Sequence, residues 1–131
     1  MHYQETIGDC SRKYDNLLRQ LDSVQTEIGL LHNAPHIGDD YQARIDELER
    51  IADHLTQQAE QVYALLAHSI AVAVHKRYRA LMIDFVLGKK MRADLSDIYG
   101  YNYYYLCHIL SAYCRQPLLP LSEVPHGESL S

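Results

Sequence analysis

The stretch DLSDIYGYNYYYLCHIL, residues 94–110, decides how the chain is read. It holds five tyrosines around one glycine, Gly100, with apolar residues at helical spacing on both sides. A helix-turn-helix needs two steeply crossing helices, a small residue where they approach and a permissive residue in the turn. Gly100 fits the turn, and Ser96, four residues earlier, is small enough for close approach. Leu95 with Ile98 or Tyr99 forms the expected buried face of the first helix, and Leu106 and Ile109 that of the second. Tyr101 is expected to close the turn as its buried tyrosine, with Tyr105 near the edge of the core. Tyr103 and Tyr104 are expected to point outward with Asn102, Cys107 and His108. An ordinary corner of two helices with a glycine satisfies the same pattern.

Upstream of this stretch lies the basic charge. Residues 75–92 hold six Lys/Arg and one acid, giving +5 in a chain whose net charge is −5. Residues 1–67 carry five Lys/Arg against twelve Asp/Glu, and residues 68–131 carry seven against five. The cluster is Lys76, Arg77, Arg79, Lys89, Lys90 and Arg92. Such a concentration grips phosphates or another polyanion, serves an acidic protein partner equally well, or forms a solvated face.

The N-terminal half has another rhythm. From Tyr14 the apolar residues Leu17, Leu21, Val24, Ile28 and Leu31 follow 3-4-3-4-3, a heptad seam that Leu18 widens. Asp9 or Ser11 is the expected start cap. Pro35 and Gly38 punctuate the end of this helix. A second seam runs through Tyr41, Ile45, Leu48, Ala52, Leu55, Ala59, Val62 and Leu66. Two amphipathic helices joined by a short loop fold back as an antiparallel hairpin. The second seam is the longer, so part of it is left for a second chain or for the C-terminal residues. Tyr41, Ile45, Leu48, Leu55 and Val62 are the dimerisation candidates.

No Gly or Pro interrupts residues 39–87, which form one helix or two with a soft break near Ser69. The stripe continues through Ile70, Val74, Tyr78, Leu81, Met82 and Phe85, and Gly88 suits a helix C-cap. The expected fold is all-α. Residues 1–67 are read as a helical hairpin and dimerisation arm, 68–115 as a helix-turn-helix-like domain, and 116–131 as an extended tail, its leucines docking locally.

Residues 78–114, YRALMIDFVLGKKMRADLSDIYGYNYYYLCHILSAYC, resemble the C-terminal half of small phage-encoded regulators. Those proteins carry a domain similar to sigma-factor region 4 and include the RinA-like and ArpU-like late-transcription activators. The resemblance rests on LMIDFVLGKK, DLSDIYGY and NYYYLCHIL, which take the places of the family's aromatic-ended helix with its Gly and basic spacer, its short helix with the glycine-aromatic turn, and its reading helix. It covers about forty residues in detail and the N-terminal half in general character only. The family's small residue is usually alanine, and here it is Ser96 after Leu95. The resemblance implies a regulator that binds DNA or the transcription machinery.

The expected reading helix is poor in Arg, Lys and Gln, the side chains that with Asn read bases by paired hydrogen bonds. Tyrosine bonds phosphates and packs on thymine methyls, and it also anchors protein interfaces. A second reading is therefore a protein-binding inhibitor of the anti-CRISPR or other anti-defence kind, its acidic half imitating nucleic acid. A third is a coiled-coil adaptor. No phosphate-binding glycine loop, nucleophile elbow or zinc-protease pattern occurs, so no enzyme, cofactor or small-molecule substrate is expected. Cys10, Cys107 and Cys114 match no zinc spacing and read as reduced thiols. The longest apolar run, Ile70 to Val74, is far too short to cross a bilayer, and residues 1–10 do not read as a signal peptide. The expected setting is the cytoplasm, the expected state a homodimer, and the expected partner DNA or a protein target.

Overall fold

The computed structural model describes residues 4–33 and 40–119. These form five α-helices and one short 3-10 turn: α1 (Ile7–Asn33), α2 (Asp40–Ala73), the turn Lys76–Tyr78, α3 (Arg79–Val86), α4 (Arg92–Tyr99) and α5 (Tyr103–Cys114). The fold is all-α. Among the described residues the one extended pairing is an isolated antiparallel bridge between Thr6 and Pro117.

α1 starts earlier than its seam suggests. Thr6 Oγ1 accepts from the Asp9 amide at 3.1 Å, and Asp9 Oδ2 accepts from the Thr6 amide at 3.0 Å. This reciprocal box satisfies two amides that a helix start otherwise leaves unpaired. Thr6 is therefore the cap, and Asp9 is its return partner inside the first turn rather than the cap itself. Ile7 and Cys10 are buried, and with Tyr14 and Leu17 they extend the 3-4-3 spacing upstream.

α2 passes straight through Ser69, where the sequence allowed a break, and ends at Ala73. Ser69 is fully buried, and its hydroxyl accepts from the Leu119 amide at 2.9 Å. The break falls at His75, whose extended backbone and Nδ1, accepting from the Arg77 amide at 3.0 Å, start the 3-10 turn. Arg79 Nε donates to the Val74 carbonyl at 3.0 Å, satisfying a group freed by that break. Residues 39–87 thus contain two α-helices joined through the turn, with residue 39 outside the described residues.

The end of α3 differs from the expected glycine cap. The left-handed position belongs to Lys89, with φ 57°, and not to Gly88. Glycine is needed at 88 because a Cβ there would lie 2.8 Å from the Asp84 carbonyl oxygen. The Gly88 amide donates to the Ile83 carbonyl and the Lys90 amide to that of Asp84, closing the helix end.

The chain divides into two compact units, Lys13–Val62 and, together, Met1–Arg12 with Tyr63–Ser131. In the first, Leu17, Ile45, Leu48, Leu55 and Ala59 are buried. Arg44, near the start of α2, pairs with Glu27, near the end of α1, at 2.9 Å, and with Glu47 at 2.6 Å. In the second, Ile7, Leu66, Ile70, Leu81, Met82, Val86, Leu95, Leu106 and Leu110 form the core, each 1 % exposed or less. The start of the chain belongs here: the Ile7 amide donates to the Gln116 carbonyl at 3.0 Å and the Leu118 amide to that of Glu5 at 2.9 Å. Of the expected tail, residues 116–119 are part of this packing, Leu118 being buried; residues 120–131 lie outside the described residues.

Candidate binding surface at the start of α5

The turn between α4 and α5 is built from local hydrogen bonds. Gly100 caps α4 with φ 73°, the left-handed region that glycine enters freely. Its amide donates to the Ser96 carbonyl at 2.9 Å, and the Ser96 hydroxyl donates to the Tyr101 carbonyl at 2.6 Å. Ser96 is thus small and also locks the turn. Asn102 then caps α5: its Oδ1 accepts from the amides of Tyr104 at 3.0 Å and Tyr105 at 3.3 Å. That side chain is committed to the helix end, which lowers its value as the outward-reaching base reader the sequence suggested.

Buried residues at this corner are Leu95 on α4 and Leu106, Ile109 and Leu110 on α5. Ile98 is exposed. Tyr99 is half-buried, and its hydroxyl donates to Asp84 Oδ2 on α3 at 2.6 Å. The Asp84 carboxylate, followed by partial burial, pushes the Tyr99 phenol up to about 12, since ionising it would set two negative charges side by side.

Three consecutive tyrosines begin α5. Tyr104 is 82 % exposed, Tyr103 44 % and Tyr105 46 %. The rings of Tyr103 and Tyr104 meet edge to face at 5.8 Å. Tyr103 also interacts with half-buried Cys107, a contact that raises its phenol above the ordinary range. His108 is exposed one turn on from Tyr104. Tyr105 lies outside the expected core edge. Its hydroxyl meets that of Tyr78 at 2.9 Å, and this hydrogen bond is the main cause raising the Tyr78 phenol. Tyr101 is half-buried rather than buried, with ring centroids 5.7 Å from Tyr105 and 6.1 Å from Tyr78. Tyr113 joins the same group at 6.0 Å from Tyr78.

The six cations of the basic cluster stand in different surroundings. The Arg77 guanidinium lies 5.4 Å over the Tyr78 ring, and the Tyr101 hydroxyl raises its already high proton affinity. The Arg92 guanidinium lies 4.9 Å over the Phe85 ring, close enough to Tyr103 for its charge to act on that phenol. Aromatic faces attract cations and hold them in place. Lys76 and Arg79 are exposed. Lys90 pairs with Asp84 at 3.6 Å. Lys89 is half-buried and turned to Ser11, with Nζ donating to its hydroxyl at 3.2 Å. The structure therefore gathers Arg77, Arg92, Tyr103, Tyr104 and Tyr105 at the start of α5, and Lys89 is drawn away into the packing.

No family model matches the chain, and no curated protein or solved structure matches it.

Cys114 is mostly buried, and that burial raises its thiol despite the nearby charges of Arg92, Arg12 and Lys89. The other proposed surface, along α2, is already occupied: Ile45, Leu48 and Leu55 are 2 %, 2 % and 6 % exposed within a single chain, while Tyr41 and Val62 are half-buried. Among the described residues of that unit, the large apolar side chains left exposed are Leu30 at 66 % and Ile51 at 40 %. Among the described residues no group of His, Cys, Asp and Glu is placed to hold a metal ion, and no helix is long and apolar enough to cross a membrane. The aromatic seats of Arg77 and Arg92 escaped the sequence reading. The i, i+4 pair Tyr101 and Tyr105 was a visible signal for one of them, but Tyr78 and Phe85 come from distant segments.

Proposed function

We propose that the chain is a small regulatory protein of phage or prophage type that binds DNA through the start of α5. The observation that carries this reading is the exposed tyrosine turn, Tyr103 to Tyr105, with Arg77 and Arg92 seated beside it on aromatic rings. A guanidinium held on a ring face keeps its fork of donors turned outward and loses little freedom on meeting a phosphate. Lys76, Arg79 and Lys90 add charge around it. A homodimer belongs to this reading, and exposed Leu30 and Ile51 are the residues it would use, since Ile45, Leu48 and Leu55 are covered within one chain.

A gel shift with duplex DNA at two salt concentrations tests the reading. Replacing Arg77, Arg79, Lys90 and Arg92 together with glutamine should abolish the shift of the parent and flatten its salt dependence, because a phosphate that no cation grips keeps its counterion. A variant that binds DNA like the parent sinks the reading. Lys89 is left in place because it holds Ser11.

One observation favours the second reading, a protein-binding inhibitor of the anti-defence kind. The outward stripe of α5 carries Tyr104, His108 and Ser111, with no Lys or Arg before Arg115. Tyrosine and arginine are enriched at protein interfaces and lysine is depleted there. Under this reading the same quadruple variant loses a protein partner, and duplex DNA never competes for it.

A further inference from the structure

We infer that the start of α5 reads the C5-methyl groups of thymine in the major groove, so that the preferred ligand is a thymine-rich duplex. This deepens the DNA-binding reading and rests on it. In the major groove the bases offer acceptors on guanine and adenine, amino donors on adenine and cytosine, and on thymine one acceptor and a methyl group. Paired hydrogen bonds to the polar groups come from Arg, Lys, Asn or Gln. The exposed residues of α5 before its last turn are Tyr103, Tyr104, Tyr105, His108 and Ser111, none of them in that set.

Asn102 is the nearest candidate, and its Oδ1 already accepts two backbone amides. Reading adenine with an asparagine needs that oxygen to accept from the base amino group while the amide nitrogen donates. Asn102 cannot do this without uncapping α5. What the turn does present is ring surface. Tyr104 is the most exposed large hydrophobic side chain of the described residues, and its ring meets that of Tyr103 edge to face. The one apolar group on the groove floor that a ring can cover is the thymine methyl.

Charge supplies the orientation. Arg77 lies over the Tyr78 ring, whose hydroxyl meets that of Tyr105, and the charge of Arg92 acts on Tyr103, so each guanidinium is near one of the two tyrosines that flank Tyr104 around the helix. A helix start that enters a groove between two strands of phosphates meets an anion on each side, which is the arrangement these two cations match.

The experiment compares short alternating duplexes of deoxyadenosine with thymidine and of deoxyadenosine with deoxyuridine, which differ only by the methyl. The full-length chain should bind the thymidine duplex more tightly, by about fourfold for each methyl that a ring covers. Tyr104→Phe should keep this preference, and Tyr104→Ala should abolish it while leaving the melting temperature unchanged. Equal binding of the two duplexes by the parent overturns the inference and leaves the DNA-binding reading standing. Failure to bind either duplex at low salt overturns both.

Discussion

Gly100 shows how much one backbone angle decides. At φ 73° a Cβ would crowd the neighbouring carbonyl oxygen, although no other atom lies within 4 Å of where it would stand. Gly100→Ala should therefore cost about 1 kcal/mol through the angle alone, read as a lower denaturation midpoint with an unchanged slope. Tyr99 gives a pH dependence. Its folded-state proton affinity is raised, to about 12 against an ordinary value of 10.0. The protonated phenol is the form that donates to Asp84, so its contribution is complete below pH 10.0 and disappears as pH rises through about 12. A denaturation series over that window should show the loss in the parent, and a smaller one in Tyr99→Phe. Gly100 was legible in the sequence because the demand for a left-handed residue is local. Capping by Asn102 is equally local, and it uses the oxygen that base reading would need.

Helices were legible from their periodicity, and their limits were set by features that periodicity does not report. The beginning of α1 is written in the sequence as Thr6 and Asp9, three apart, with Gly8 between them. Gly8 stands there because a Cβ would come within 3.1 Å of the Cys114 carbonyl oxygen, a close approach to α5 that no local pattern announces. The stripe on α2 is legible in the sequence, and periodicity alone does not say what covers each part of it. Leu48 and Ile51 now separate the alternatives. Leu48→Ala should cost about 2–4 kcal/mol in thermal or chemical denaturation, since it opens a cavity in a packed site. Ile51→Asp, at an exposed position, should leave the fold intact and shift light scattering toward monomer if that face joins two copies. A monomeric parent at high concentration removes the homodimer.

At the scale of the molecule, charge and packing divide the chain in different places. The acidic residues concentrate in the unit Lys13–Val62, four Lys/Arg against ten Asp/Glu, and the basic cluster lies in the other. The packing boundary is not where composition changes, because residues 1–12 belong with residues 63–131. Such a pairing between the ends of a chain leaves no mark on a window of ten or twenty residues. Ile7 tests it. It is fully buried, so Ile7→Ala should cost about 2–4 kcal/mol and should lower the melting of the unit that holds α5. On the proposed DNA-binding reading, a gel shift recorded on warming should be lost at that lower transition.

The same pairing sets an order of events during synthesis. The ribosome releases the chain from its N-terminus, and neighbouring segments meet first because short loops close at the least entropic cost. Residues 13–62 can find one another as soon as both helices have emerged. The first turn of α1 has to wait, because the carbonyl of Gln116 and the amide of Leu118 that hold it are made more than a hundred residues later. Ile7 and Cys10 spend that interval in water or against a chaperone. A stop codon shortly before Gln116 would leave all five helices written and the seat of the first one missing.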